Sequence, residues 1–302
     1  MATCDWLFTH FKPLRCLRPF PAPRLHSRRL SLRPPRTPHR RLHSPAGNRS
    51  FSDLFPDSVL AKESFRYDET KHLLGLMDTT ARRSHMSRAQ AFDDTLHMIV
   101  CTLGRPIMED EYMQTVQRHA EGRKGKRGCD SIAEFFGHLV HAMTDSNHDL
   151  LGDLFEGSIT HGQNGQFLTP DSICELLART NLPEEPTGIE GRRTVNDPCC
   201  GSGRMLLAAA EIQPNWHFIG QDVDLACVRM TAINLALRNR YGHVIWGNSL
   251  GVEQRLVYET GRVQVWGNAI RKLEPEQAPE SLSELTTLDV GPEAKSQLRL
   301  FE

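Results

Sequence analysis

The sequence predicts an α/β protein: an open, mostly parallel sheet with a small helical domain ahead of it. Three observations predict it. Apolar residues recur at helical spacing over 92–103 and again over 132–143. From residue 192 onward, short β-branched or aromatic runs alternate with apolar helical runs, the pattern of parallel strands joined by crossover helices. Between the first of these strands and its helix stands Asn196-Asp197-Pro198-Cys199-Cys200-Gly201-Ser202-Gly203, an acidic strand end turning through small residues.

The chain of 302 residues has length for two domains. Hydrophobic residues make up 39% and aromatic residues 7%, enough for a core if part of the length stays unfolded. The formal net charge of −1 conceals a split. Residues 1–52 hold eleven Lys and Arg against one acid, Asp5, so about +10 of charge lies there and about −11 in the rest. With an acidic body, any nucleic-acid contact comes from local patches rather than from the overall field. Residues 1–86 read as a basic, Pro- and Arg-rich leader that cannot bury enough apolar surface to fold. Three readings of it stand open: an unfolded or untranslated stretch ahead of Met77 or Met86, a basic arm for nucleic acid, or a targeting segment.

No apolar run approaches the roughly 20 residues that span a bilayer, so no membrane partner is expected. The eight cysteines include no Cys-x-x-Cys and fit neither a zinc site nor a disulfide framework. Reduced thiols in a cytosolic protein are the expectation. His138 and His141 stand three apart on a predicted helix without a third ligand of suitable spacing, and no metal is expected.

The helical domain is expected over 87–156. Ser87 is a cap for the helix carrying Phe92, Leu96, Ile99, Val100 and Leu103, and Arg105-Pro106 closes it. Gly122-Arg123-Lys124-Gly125-Lys126-Arg127-Gly128 is a basic loop, either solvated or in touch with DNA phosphates. Asp130 and Ser131 are read as caps of a second helix with Ile132, Phe135, Phe136, Leu139, Val140 and Met143 as its core stripe. Residues 149–156 form a short helical turn.

The α/β domain is expected over 157–275, followed by an acidic tail over 276–302. Thr169 caps a helix with Pro170 in its first position and Ile173, Leu176 and Leu177 as its apolar face. A strand over 192–196 delivers Asp197 at its carboxyl end, and Gly201 and Gly203 let the following loop turn tightly against a ligand. A second strand, 216–220, leads to Gln221 and Asp222; Asp222 lies 19 residues beyond Gly203, where an acid commonly accepts ribose hydroxyls. A third, 243–246, leads to Gly247 and Asn248, placed to meet an adenine edge. Three strand ends thus send polar groups to one crevice, expected at a switch in strand order. A dinucleotide would want a third glycine in the loop, which is missing. An acid directly before the loop repels phosphate and suits an ammonium and a sulfonium. The expected cofactor is S-adenosylmethionine, on a Rossmann-like sheet.

Gly165-Gln166-Phe167-Leu168-Thr169-Pro170, the Asn196-to-Gly203 loop, Gly220-Gln221-Asp222, Asn234-Leu235-Ala236-Leu237 and Gly247-Asn248-Ser249-Leu250 together resemble the N6-adenine DNA methyltransferases found as modification subunits of type I restriction systems. Leu150-Leu151-Gly152-Asp153-Leu154-Phe155-Glu156 resembles the end of their helical N-terminal domain. The resemblance covers roughly residues 87–250. It implies methylation of adenine N6 in double-stranded DNA, in the bacterial cytoplasm, alongside a separate specificity or fold-completing subunit. It implies that Phe167, Thr169 and Pro170, with Gln166 and Leu168 in the same turn, line the cofactor's methionine side. Asp197 and Gly201, with Pro198, Cys199, Ser202 and Gly203 beside them, would approach its amino-acid end, and Asp222 its ribose.

The chain departs from that family at the catalytic turn. The family carries Asn/Asp-Pro-Pro-Tyr/Phe at the end of its fourth strand. The adenine amine is a weak nucleophile; an amide or carboxylate oxygen and a backbone carbonyl accept its hydrogens, and the aromatic ring stacks on the flipped base. The only Pro-Pro here is Pro34-Pro35. Residues 263–266 are read as the fourth strand, with Asn268 as a surrogate acceptor and Trp266 as a stacking partner; an ordinary strand end with a turn asparagine is the other reading. The sheet is accordingly expected to be shortened. Two rivals to adenine methylation stand: a non-catalytic accessory subunit that binds S-adenosylmethionine or DNA, and a methyltransferase for some other nitrogen, in protein or RNA.

Overall fold

The computed structural model describes residues 65–160, 166–188, 191, 193–251, 253–261 and 269–274. Its elements run α1 (Asp68–Arg83), α2 (Arg88–Leu103), α3 (Glu109–Arg118), α4 (Gly128–Asp145), α5 (Leu150–Leu154), a π-helical turn (Phe155–Thr160), α6 (Asp171–Asn181), β1 (Thr194–Asp197), α7 (Arg204–Ile212), β2 (His217–Asp222), α8 (Leu225–Leu237), β3 (Gly242–Trp246), β4 (Leu256–Thr260) and β5 (Ile270–Leu273).

The helical part forms for reasons legible in its residues. Ser87 accepts a hydrogen bond from the Gln90 N–H while the Gln90 side chain returns to Ser87, a capping box that starts α2. Phe92, Leu96, Ile99 and Val100 are buried on that helix, and Phe135 and Leu139 on α4. α4 starts earlier than the sequence suggested: Arg127 is its N-cap residue and Asp130 lies inside the first turn, accepting the Arg127 N–H at 2.9 Å. The basic loop before it exposes Arg123, Lys124 and Lys126, while Arg127 pairs with Asp130.

The expected leader over 1–86 is too long. Asp68–Arg83 is a helix that buries Leu73, Leu74 and Met77. Two acids in its first turn and two arginines in its last suit the helix dipole. The basic, acid-poor composition that suggested an unfolded segment stops well before residue 68, where acids return and apolar residues take helical spacing. Residues 1–64 and 275–302 lie outside the described residues.

The sheet has strand order β1-β2-β3-β4-β5. β1, β2 and β3 are parallel, with Val195 opposite Phe218 and Gly220 opposite Val244. β3 to β4 and β4 to β5 are antiparallel. The α/β sheet behind a helical part is of the expected Rossmann-like class, and the two antiparallel pairs are an addition to its parallel strands. The link from β3 to β4, residues 247–255, is shorter than the dozen or so residues that a parallel crossover needs, so the chain folds back as a neighbour of β3. Among the described strands β1 stands at one edge, and their order contains no switch. The fourth described strand is Leu256–Thr260; residues 263–266, with Trp266 and Asn268, lie outside the described residues.

One apolar cluster runs from Leu73 on α1 through Phe92 and Phe155 to Phe218, Leu235 and Ile270, so helical part and sheet share a core. A second row, Ile219, Ile245, Val257 and Leu273, lies across β2 to β5. On α6, Ile173, Leu176 and Leu177 are exposed, against expectation. Cys174 and Ala178 are buried instead, small residues that let α6 approach α7 closely. Thr169 does not cap this helix; Pro170 is its N-cap residue.

Candidate active site

The carboxyl ends of β1 and β2 open into a cleft of about 280 Å³. Its lining joins Gln166, Phe167, Leu168 and Thr169 from the turn before α6, the 197–202 stretch and Arg204 from the β1–α7 connection, and Asp222 with Val223 from the end of β2. Ser249 contributes from the end of β3. Most of the residues singled out from the sequence therefore meet in one place.

The loop is shaped by backbone conformation and two carboxylates. Gly201 (φ 54°) and Gly203 (φ 89°) are left-handed, a region costly for residues with a Cβ. Gly203 is also the N-cap residue of α7. Asp197 accepts the Cys199 N–H at 3.1 Å. Asp222 accepts the Gly201 N–H at 2.9 Å through Oδ2 and the Asp224 N–H at 2.9 Å through Oδ1, so it braces the loop while facing the cleft. Burial pushes the Asp197 carboxyl upward; the Cys199 N–H works against this and the Asp222 charge adds to it. Two acids at adjacent strand ends make the cleft floor anionic.

The turn before α6 closes the other wall. The Gln166 side chain donates to Asp224 at 2.8 Å, and Asp224 caps α8 through the Ala226 N–H. Leu168 lies against Gly201, where an added Cβ would stand 2.6 Å from its Cδ2. Phe167 is 74% exposed at the mouth, an apolar ring that faces water. Pro170 and Gly203 shape the walls without lining the cleft.

Asn248 is placed differently from expectation. Its amide oxygen accepts the Leu250 and Gly251 N–H groups, so it caps its own turn, and the side chain is exposed. Ser249 lines the cleft in its stead.

Sequence reasoning missed the group that ties the helical part to the loop. Asp149, buried at the start of α5, accepts from Gly152 N–H (2.9 Å), Ser202 Oγ, Arg204 Nε (2.8 Å) and Asn234 Nδ2 (2.9 Å). Asn234 Nδ2 also donates to the Ser202 carbonyl at 2.9 Å. Arg204 further pairs with Glu156 at 3.3 Å and lies 3.6 Å from Asp171. A signal existed: an arginine directly after a glycine turn, at the head of an otherwise apolar helix, must find buried acids.

Among the described residues, His97, Cys101 and Glu111 bring three metal-ligating atoms together. Cations of the chain already hold this group. Lys272 Nζ donates to Glu111 at 2.8 Å, and Arg229 Nη2 meets His97 Nδ1 at 3.2 Å. No helix among the described residues is long and apolar enough to cross a membrane.

The N-6 DNA Methylase family matches residues 146–263, a span that begins just before Asp149 and ends just beyond β4. No curated protein sequence matches the chain. Among solved structures, the methyltransferase subunit of a type I restriction-modification system from Streptococcus thermophilus is similar at 21% identity with a TM-score of 0.30. That similarity covers 60% of this chain and 39% of the other, so the chain spans well under half of that subunit's length.

Proposed function

We propose that the cleft binds S-adenosylmethionine for methyl transfer to adenine N6 in double-stranded DNA, a reading supported by the match of residues 146–263 to the N-6 DNA methylase family. The observation that carries this reading is the pair Asp197 and Asp222 at neighbouring parallel strand ends, both lining the same cleft. The cofactor would supply a methyl group on a positively charged sulfur. An anionic floor favours that charge, and apolar Phe155, Leu168, Met205 and Val223 offer surface to a nucleoside.

The residues present fit the ligand. Asp222 has lone pairs beyond those spent on Gly201 and Asp224, as ribose hydroxyls require. Asp197 is placed to accept from an ammonium. Gly201 lets the backbone come close, because a side chain there would occupy the space of Leu168. Phe167 at the mouth offers a ring on which a base can stack.

The runner-up is an accessory role, cofactor binding without transfer by this chain's own residues. One observation favours it: β4 pairs with β3, which leaves the edge of β1 beside the cofactor cleft unpaired in the described sheet. In a doubly wound sheet the crevice is completed by a strand on that side. A separate specificity or fold-completing subunit would supply it.

Two measurements decide between the readings. Calorimetry with S-adenosylmethionine tests the cleft, and transfer of a radiolabelled methyl to unmethylated duplex DNA tests catalysis. Binding with transfer to adenine supports the enzyme; binding without transfer supports the accessory role. No binding by folded protein removes both. Transfer that survives Asn268→Ala would exclude Asn268 as the surrogate acceptor.

A further inference from the structure

We propose that Arg204 receives the carboxylate of the cofactor's amino-acid end, making the cleft selective for a donor that carries a carboxylate beside its sulfonium. This rests on the cofactor reading above and assigns one residue to one end of the ligand. Among the described residues that line the cleft, Arg204 is the only basic one. Its side chain is 4% exposed. Nε is spent on Asp149, and Nη1 is shared between Glu156 at 3.3 Å and the Thr169 carbonyl at 3.5 Å. Nη2 is buried with no hydrogen-bond partner. A guanidinium donor left over in this way costs free energy unless something accepts from it.

The surroundings decide what that acceptor is. Arg204 is the first residue of α7, and the free N–H groups of a helix start also favour an anion. Behind Arg204 lies a smaller recess of about 150 Å³ lined by Asp149, Asp171, Glu175 and Glu211. Arg204 lines that recess too, but its four carboxylates repel an anion, so the cleft is the side that favours one. Arg66 pairs with both Glu156 and Asp171, which leaves Asp149 as the chief counter-charge of Arg204. The Asp149 contact fixes the plane of the guanidinium, so Nη2 is held in place before any ligand arrives. A zwitterion then has one place for each charge: carboxylate at Arg204, ammonium at Asp197.

The test compares two ligands by calorimetry on the full chain, S-adenosylmethionine and its decarboxylated analogue, which keeps the sulfonium, the amine and the nucleoside. The wild-type chain is expected to favour the carboxylate-bearing ligand roughly ten- to hundredfold, the worth of a charged hydrogen bond. Arg204→Gln is expected to lose that preference by weakening S-adenosylmethionine alone, and Arg204→Lys, which keeps the charge without the planar fork, to retain part of it. Equal affinity of the wild-type chain for the two ligands overturns the inference while leaving the cofactor reading intact, and so does an Arg204→Gln protein that keeps the full preference. Should Arg204→Gln fail to fold, Arg204→Lys decides: a reduced preference for the carboxylate-bearing ligand is expected, and a full preference overturns the inference. Binding of neither ligand removes the cofactor reading and this inference together.

Discussion

Asp149 Oδ2 accepts the Nε hydrogen of Arg204 at 2.8 Å, and both side chains are almost wholly buried. The pair joins the start of α5 to the start of α7, so the helical part and the glycine loop after β1 are not independent. Removing one partner strands a buried charge. Asp149→Ala is expected to lower unfolding stability by about 3–5 kcal/mol, the usual cost of breaking such a pair. Asp149→Asn, which keeps one acceptor oxygen, is expected to lose less. Urea unfolding followed by circular dichroism measures both; a change below 1 kcal/mol for the alanine variant, far under the expected range, would show that the pair is not a structural tie.

Asp222 has two duties, and a substitution separates them. Asp222→Ala is expected to weaken S-adenosylmethionine binding by about 1–3 kcal/mol through loss of a charged acceptor. It also frees the Gly201 and Asp224 N–H groups, so a modest fall in melting temperature accompanies it. Asp222→Asn retains one oxygen and should recover part of each effect. Unchanged affinity in the alanine variant would mean that the end of β2 does not face the ligand.

The candidate cleft was legible in the sequence wherever backbone geometry dictated the residue. Gly201 and Gly203 need positive φ, Asp197 and Asp222 follow short β-branched or aromatic runs, and Gln166 to Thr169 sit between two helical patterns. What the sequence hid was long-range pairing. Asp149 and Arg204 are far apart in the chain, and each alone reads as a cap or a surface charge. Asn248 looked like a ligand group because it follows a strand, yet a side-chain amide two residues before a free N–H closes its own turn. The strand order was hidden for the same reason: the alternation of strands and helices over 192–246 predicts parallel pairing, and only the shortness of 247–255 turns β4 back. On α6 the larger apolar residues suggested the wrong face, because close packing on α7 selects Cys174 and Ala178 by size.

Acid sensitivity is expected at Asp94. Burial alone would raise its carboxyl, but hydrogen bonds from His119 at 3.0 Å and from Arg118, together with their charges, bring it down to about 2. A carboxyl depressed on folding stabilises the protein above its unfolded value near 3.8, and that stabilisation fades as pH falls toward about 2. The contribution is about 2 kcal/mol at neutral pH, lost across that window. Asp94→Asn should flatten this part of the curve of unfolding free energy against pH. The same acid slope in both proteins would place the sensitivity elsewhere.

Cys199 gives a chemical footprint of the cleft. Of the six cysteines among the described residues, it alone is exposed. Burial raises the Cys174 thiol to about 11 and the Cys101 thiol to about 12, and drives those of Cys200 and Cys227 higher still, so these four stay protonated and shielded. Iodoacetamide at neutral pH should therefore modify Cys199 ahead of the other five, as read by peptide mass spectrometry. Cys199 also lines the cleft, next to the Asp197 carboxylate that its own N–H approaches. A ligand seated there covers the sulfur, so saturating S-adenosylmethionine is expected to slow the modification. If calorimetry records binding while Cys199 reacts at an unchanged rate, the ligand sits away from the ends of β1 and β2, and the placement of the cofactor between Asp197 and Asp222 is wrong.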